Sequence, residues 1–190
     1  WLELPVIPTD PAPSHPITIQ DEGFLPELAS GGMGDVFEWT NDGEDYHSVT
    51  ESSGLGLWDS QIVRGKRSYN PETWWTKIPW AGTYVYRDMV SGFEGTVEIP
   101  DRVAESSPEG GQVTMELGVE PPPEGTGFDV QLKAGDGEWE TVHEGIQDTQ
   151  ITMDSLSSGS YAIRSRLRSL DTTEPAAASG WSPPLSFDFK

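Results

Sequence analysis

No stretch of ten or more residues in this chain carries a 3.6-residue apolar period, so a helical core has nothing to build on. Short apolar-polar alternations recur instead. DVFEWT, HSVTES, GTYVYRDM and GTVEIP are separated by turns that contain Gly, Asn and Asp, as strands are. Asn41-Asp42-Gly43 separates two of them and suits a hairpin, because these residues tolerate positive φ. A second set follows: QVTMELGV, GFDVQLKAG, EWETVHEG, TQITMDSL, SYAIRSRLRS and WSPPLSFDF. Within it, GFDVQLKAGDGEWETV reads as a hairpin with Asp136-Gly137 at its tip. In YAIRSRLRS, Tyr161, Ile163, Ser165 and Leu167 share one face and Arg164, Arg166 and Arg168 the other, which is a half-buried strand. The pattern predicts an all-β chain. It divides into an extended Pro-rich arm over residues 1–16, one domain over 17–101 and a second over 102–190, with AESSPEGG as a polar joint.

The charge balance narrows the partners. Lys and Arg number 11 against 32 Asp and Glu, a net charge of -21, and the acids are spread through both halves. Such a surface repels phosphate backbones and anionic lipid, so no nucleic-acid partner is expected. No apolar run approaches the roughly 20 residues of a membrane-spanning helix, so no membrane insertion is expected. Cysteine is absent, which removes disulfides, thiolate metal sites and cysteine nucleophiles together. The chain begins at Trp1 without Met or a signal peptide, as expected of a processed mature protein or an excised ectodomain. Secretion, the periplasm or the cell surface is the expected location.

Residues 17–99 resemble the plastocyanin and azurin class of cupredoxins. The order ITIQDEGFLPEL, GDVFEWTNDGEDYHSVT, GLWDSQIVRGKRS, GTYVYRDMVSGFEGTVEI carries the likeness, with Trp39, Thr40, Asn41, His47, Val49 and Thr50 in the most specific stretch. The resemblance implies a Greek-key β-sandwich and, in intact members, a copper held by a thiolate and two imidazoles, a donor set that suits both copper oxidation states. His47 matches the first histidine. Asp88 stands about where the cysteine would be, no second histidine precedes the last strand, and Phe93 holds approximately the methionine place. A blue copper centre therefore cannot form in this chain alone. Residues 104–190 resemble a fibronectin type III domain, a seven-stranded sandwich that mostly serves as a spacer or binding domain. LSSGSYAIRSRLRS carries that likeness, with Leu156, Gly159 and the corner tyrosine Tyr161, and GWSPPLSF adds to it. The usual tryptophan of the second strand is missing, with Leu117 there.

Few residues suggest chemistry. His47 and Asp88, completed by water, are acceptable ligands for a tetragonal N/O copper site, whereas the plainer reading makes His47 a packed, hydrogen-bonded residue. No cofactor is expected, with copper as the alternative. Asp42, Glu44 and Asp45 lack the spacing of a calcium loop and read as an exposed acidic turn. Arg64, Lys66 and Arg67 form a basic cluster that either docks an acidic partner or balances local charge. Trp74, Trp75 and Trp80 divide between the core and an exposed contact surface. No nucleophile elbow, His-Glu-x-x-His or phosphate-binding loop is present, so the chain is not expected to be an enzyme. The expected function is a non-catalytic extracellular structural or binding module on a degenerate cupredoxin scaffold. Copper binding or electron transfer at His47 and an accessory ectodomain of a larger surface enzyme are the alternatives. The arm carries Trp1, Leu2, Leu4, Val6 and Ile7, apolar enough to seek a sheet edge on its own chain or on a neighbour's. The expected partner is another protein or a second copy held through that arm.

Overall fold

The computed structural model describes residues 12–68, 70–107, 111–171 and 177–189. Most of the arm, residues 1–11, lies outside them. The described residues form fifteen strands and no helix.

Four strands make the first sheet: β1 (Ser14–Gln20), β2 (Gly23–Leu25), β4 (Val36–Asn41) and β6 (Thr73–Lys77), in the order β2-β1-β4-β6. Facing it lie β3 (Leu28–Ser30), β5 (Thr50–Glu51), β7 (Gly82–Arg87) and β8 (Glu94–Ile99), in the order β3-β8-β7-β5. Strands β1 and β4 pair in parallel, as do β3 and β8, and every other pairing within these two sheets is antiparallel. The period-2 pattern sets which faces meet. Ile17, Ile19, Phe37 and Trp39 of one sheet and Tyr84, Tyr86, Val97 and Ile99 of the other are buried. The Trp39 and Tyr86 rings meet edge to face at 5.3 Å, and Phe24 meets Tyr86 at 4.7 Å. Each fully buried ring or aliphatic side chain supplies about 1.5–3 kcal/mol of hydrophobic stabilisation. At Gly95 a Cβ would collide with the Tyr86 hydroxyl, so the glycine leaves room for that ring.

The first strand starts earlier than the sequence suggests. Ser14, His15 and Pro16 pair in parallel with Val36, Phe37 and Glu38, so these three residues belong to the sandwich and not to the arm. Pro16 has no backbone N–H to give to a ladder. It is tolerated because β2 pairs only with Thr18–Gln20, leaving no strand beside Pro16 opposite β4.

The second half contains β9 (Arg102–Ser107), β10 (Gln112–Glu116) and β13 (Gln150–Met153) in a sheet of order β13-β10-β9. Opposite stand β11 (Thr126–Ala134), β12 (Glu140–Ile146), β14 (Gly159–Ser169) and β15 (Leu185–Phe189), in the order β12-β11-β14-β15. Val113, Met115, Phe128, Val130, Ile163 and Leu167 are buried between them. The outward side of β14 carries its arginines. Arg164 lies 4.2 Å from the Trp139 ring and 4.9 Å from the Trp181 ring, and Arg166 lies 4.5 Å from Trp181. Asp129 pairs with Arg166 at 3.0 Å and Arg168 at 2.6 Å. The guanidiniums thus cover aromatic faces that would otherwise meet water.

The two sandwiches meet without the polar joint expected over AESSPEGG. Arg102–Ser107 of that region is strand β9, so only Pro100 and Asp101 separate β8 from β9. The meeting is extensive. Ala81 N donates to Leu117 O at 2.9 Å, Val119 N to Pro79 O at 2.9 Å, and Thr83 and Gly180 exchange backbone bonds of 3.0 and 2.8 Å. Asp101 is buried at the centre and accepts Ser165 Oγ and Ser182 Oγ, each at 2.5 Å. Burial pushes its carboxyl above the ordinary value, against the two serine hydrogen bonds.

Candidate functional site

The best-defined polar cluster lies at the end of the first sandwich away from the second. His47 follows the turn after β4 and bridges to Val63 by backbone bonds of 3.1 and 2.8 Å. Asn41 fixes that turn, donating through Nδ2 to Asp45 O at 3.0 Å and Val63 O at 2.8 Å. Asp88 follows the end of β7, where the chain turns back to β8. The two sheets therefore bring together residues forty-one positions apart, with His47 Nδ1 2.8 Å from Asp88 Oδ2.

Asp88 is fully buried, and its oxygens are already taken. Oδ1 accepts Ser48 N at 2.7 Å, Val90 N at 3.0 Å and Ser48 Oγ at 3.3 Å. Oδ2 accepts Ser91 N at 3.0 Å beside its bond with His47. Burial raises the carboxyl's pKa, but the bonds from His47, Ser91, Val90 and Ser48 outweigh it and hold the group below its ordinary value. On the other side of the ring, His47 Nε2 stands 3.3 Å from Asp21 Oδ1. The backbone N–H groups of Asp45 and Glu44 hold the Asp21 carboxyl low. Phe93 closes the cluster, its ring centroid 5.3 Å from that of His47.

Copper does not fit this set of donors. Both imidazole nitrogens face carboxylates, Asp88 is saturated by hydrogen bonds, and no thiolate exists anywhere in the chain. His15 lies at the opposite end of the sheet, stacked on Phe37 and 2.7 Å from Asp35. Among the described residues, no group of three His, Cys, Asp or Glu side chains is arranged to hold a metal ion. One buried carboxylate ties the loop after β7 to the strand that follows the first turn, and that loop holds Met89 and Val90 out at 68% and 54% exposure.

The other residues picked out from the sequence separate. Arg64 pairs with Glu72 at 3.1 Å, Lys66 with Asp42 at 2.6 Å and Arg67 with Asp45 at 2.6 Å. The basic cluster and the acidic turn thus face each other. Trp74 packs against Trp39 at 5.4 Å. Trp75 is 60% exposed on β6. Trp80 belongs to the junction, where its indole N–H donates to Glu120 O and Pro121 O at 3.1 Å. The three tryptophans do not form one surface. Sequence reasoning missed Asp21, whose partners lie in a turn distant in sequence, and Asp101, whose role exists only once two sandwiches meet.

No protein-family model matches the chain, and no curated protein matches it. Solved structures do. A purple cupredoxin from Nitrosopumilus maritimus is similar at 16% identity and TM-score 0.40, over 44% of this chain and 97% of that one. A variant of amicyanin in its reduced Cu(I) form is similar at 18% identity and TM-score 0.40, over 47% of this chain and 83% of that one. A Cu-containing nitrite reductase from Thermus scotoductus is similar at 17% identity and TM-score 0.36, over 45% of this chain and 22% of that one.

Proposed function

We propose that this chain is a non-catalytic structural or binding module that works in the periplasm, at the cell surface or in the medium. On this reading residues 17–101 are a cupredoxin scaffold that has given up its redox centre, and residues 102–190 are a fibronectin type III spacer. The observation that carries the reading is the buried, five-fold hydrogen-bonded Asp88 carboxylate at the position the resemblance gives to the copper thiolate. It performs by hydrogen bonding the loop-fixing role that a metal would otherwise share. The spacer reading is supported by the three-plus-four strand order and by Tyr161, whose hydroxyl donates back to Ser157 O at 3.0 Å, as a tyrosine corner does. The absence of a hinge residue run between the sandwiches suits a rigid building block. Units of this kind assemble through the apolar N-terminal arm, which joins one copy to the next.

Elemental analysis of natively purified protein, with an absorption spectrum, tests the redox-inactive reading. The expected result is a colourless protein without stoichiometric copper and without the intense band of a Cu–thiolate bond. One tightly bound copper per chain that disappears in His47→Ala overturns it.

A further inference from the structure

The arm needs an acceptor, and the geometry points to the open edge of β6 as the place where the arm of a second copy adds a strand; this rests on the assembly reading above. Among the described residues, each of the other sheet edges carries some guard. Strands β2 and β3 are three residues long, and β5 has two and is flanked by the Asp59 and Trp58 backbone. Strands β9 and β12 carry register shifts where they pair with β10 and β11, β13 has four residues, and β15 carries the charged Asp188. Shortness, bulges, proline and charged side chains are the devices that keep edges from pairing. Strand β6 carries only one of them, Lys77 at its last position. Its five residues, Thr73-Trp74-Trp75-Thr76-Lys77, pair with β4 along one side only.

Which groups the edge offers follows from the ladder. Asn41 N donates to Glu72 O and Ile78 N to Asp35 O, at the two ends of the β4–β6 pairing. Bonded and non-bonded pairs alternate in an antiparallel ladder, so Trp74 and Thr76 bond to β4. The backbone N–H and C=O of Thr73, Trp75 and Lys77 then point outward. The same three residues are exposed, with Trp75 as an apolar side chain beside the free backbone.

The arm fits such an edge. Added as a strand, Leu2-Glu3-Leu4-Pro5-Val6-Ile7 would set Leu2, Leu4 and Val6 on one face and one backbone side. Pro5 would then fall on the opposite side, where a missing N–H costs no ladder bond. Residues 8–12 would connect it to Pro13, whose carbonyl accepts Val36 N at 2.9 Å. A return to β6 of the same molecule must cross the end of β4, about three strand spacings or ~14 Å. That rim is closed by the bonds between Gly34, Asp35 and Ile78 and covered by Val119 of the second sandwich, bonded to Pro79. The edge of a neighbour has no such obstacle, and because donor arm and acceptor edge are different surfaces the contact repeats head to tail.

Light scattering on full-length protein at about 1 M salt, where the screening length is ~3 Å, decides it. Trp75→Pro removes one outward N–H without touching the β4 ladder. A second variant carries Leu2→Ser, Leu4→Ser and Val6→Ser. The unaltered chain is expected to form concentration-dependent oligomers, each variant alone to stay monomeric, and their mixture to give a one-to-one dimer and nothing larger. Oligomers of Trp75→Pro that still depend on the arm overturn the β6 acceptor and leave the assembly reading standing. Monomers of every form overturn both. A monomeric parent whose Thr73, Trp75 and Lys77 amides are protected from hydrogen exchange, and lose that protection in the arm variant, overturns the second-copy assignment in favour of the chain's own arm. Trp75→Lys, which sets a charge on the edge, replaces Trp75→Pro if the proline disturbs folding.

Discussion

Asp88→Ala should be among the most damaging single changes outside the aromatic core. The carboxylate accepts five hydrogen bonds, but they are not equivalent. Val90 and Ser91 are exposed, so water can take over their N–H groups once the carboxylate is gone. Ser48 and His47 are 3% and 1% exposed, so water does not replace the carboxylate there, and only Ser91 Oγ, 3.3 Å from His47 Nδ1, offers the ring another partner. An unsatisfied buried donor costs about 1–3 kcal/mol. Asp88→Ala, which strips the buried Ser48 and His47 groups of their common acceptor, should therefore lower the unfolding free energy by about 2–4 kcal/mol, a large share of the 5–15 kcal/mol typical of a folded protein. Asp88→Asn keeps one acceptor for Ser48 and Val90 and sets an amide against His47 and Ser91. Its loss should be smaller, about 1–2 kcal/mol. Urea unfolding at pH 7 and constant high salt, followed by tryptophan fluorescence, reads both. A loss under about 1 kcal/mol for Asp88→Ala, or equal losses for the two variants, refutes the view that this carboxylate holds the loop.

Other consequences follow from the same contacts. Asp21 and Asp88 are held below their ordinary pKa, so the stability they add is present above the unfolded carboxyl value and disappears as pH falls through the folded ones. The unfolding midpoint should drop below about pH 4, and Asp88→Asn should flatten that slope; an unchanged slope contradicts the assignment. Asp101 runs the other way, its raised pKa meaning that ionisation costs stability as pH rises. Asp101→Asn, which can still bond Ser165 and Ser182, should be no less stable than the parent at pH 7, whereas Asp101→Ala should be clearly less stable by calorimetry. Added salt should raise the melting temperature by screening the net charge of -21, and a flat or falling dependence would show that the acidic surface is no burden. Gly95→Ala should cost about 1–3 kcal/mol by forcing the buried Tyr86 ring to move, and a neutral result contradicts the packing described there.

The all-β character was readable because its signal is local. The alternation in Val36–Asn41, Gly82–Arg87 and Gly159–Ser169 places Trp39, Tyr84, Tyr86, Ile163 and Leu167 inside without reference to anything distant. Strand ends were less readable, because partners decide them. Pro16 extends β1 only because β4 lies beside it and β2 stops short. AESS looks like a linker by composition and becomes a strand by pairing with β10. At the candidate site, His47 and Asp88 were singled out from sequence, but as two members of a resemblance with a gap between them. Their contact, the saturation of Asp88 by Ser48, Val90 and Ser91, and the approach of Asp21 depend on two loops meeting at one end of the sandwich. The tryptophans divide for a reason the strand period supplies. Adjacent strand residues point to opposite faces, so Trp74 and Trp75 part company, and Trp80 lies beyond the strand in the junction.

Thermal unfolding of natively purified protein, before and after exhaustive chelation and then with copper(II) restored at one equivalent, tests most directly whether hydrogen bonds have taken the place of a metal at His47 and Asp88. A ligand present at 1,000 times its dissociation constant stabilises the folded state by about 4.1 kcal/mol, so a functional copper site would move the transition by several degrees. The hydrogen-bonded arrangement predicts the same melting temperature in all three samples, and the same small response to copper in the parent and in His47→Ala. A melting temperature that falls on chelation, recovers with one equivalent of copper and no longer recovers in His47→Ala would contradict it.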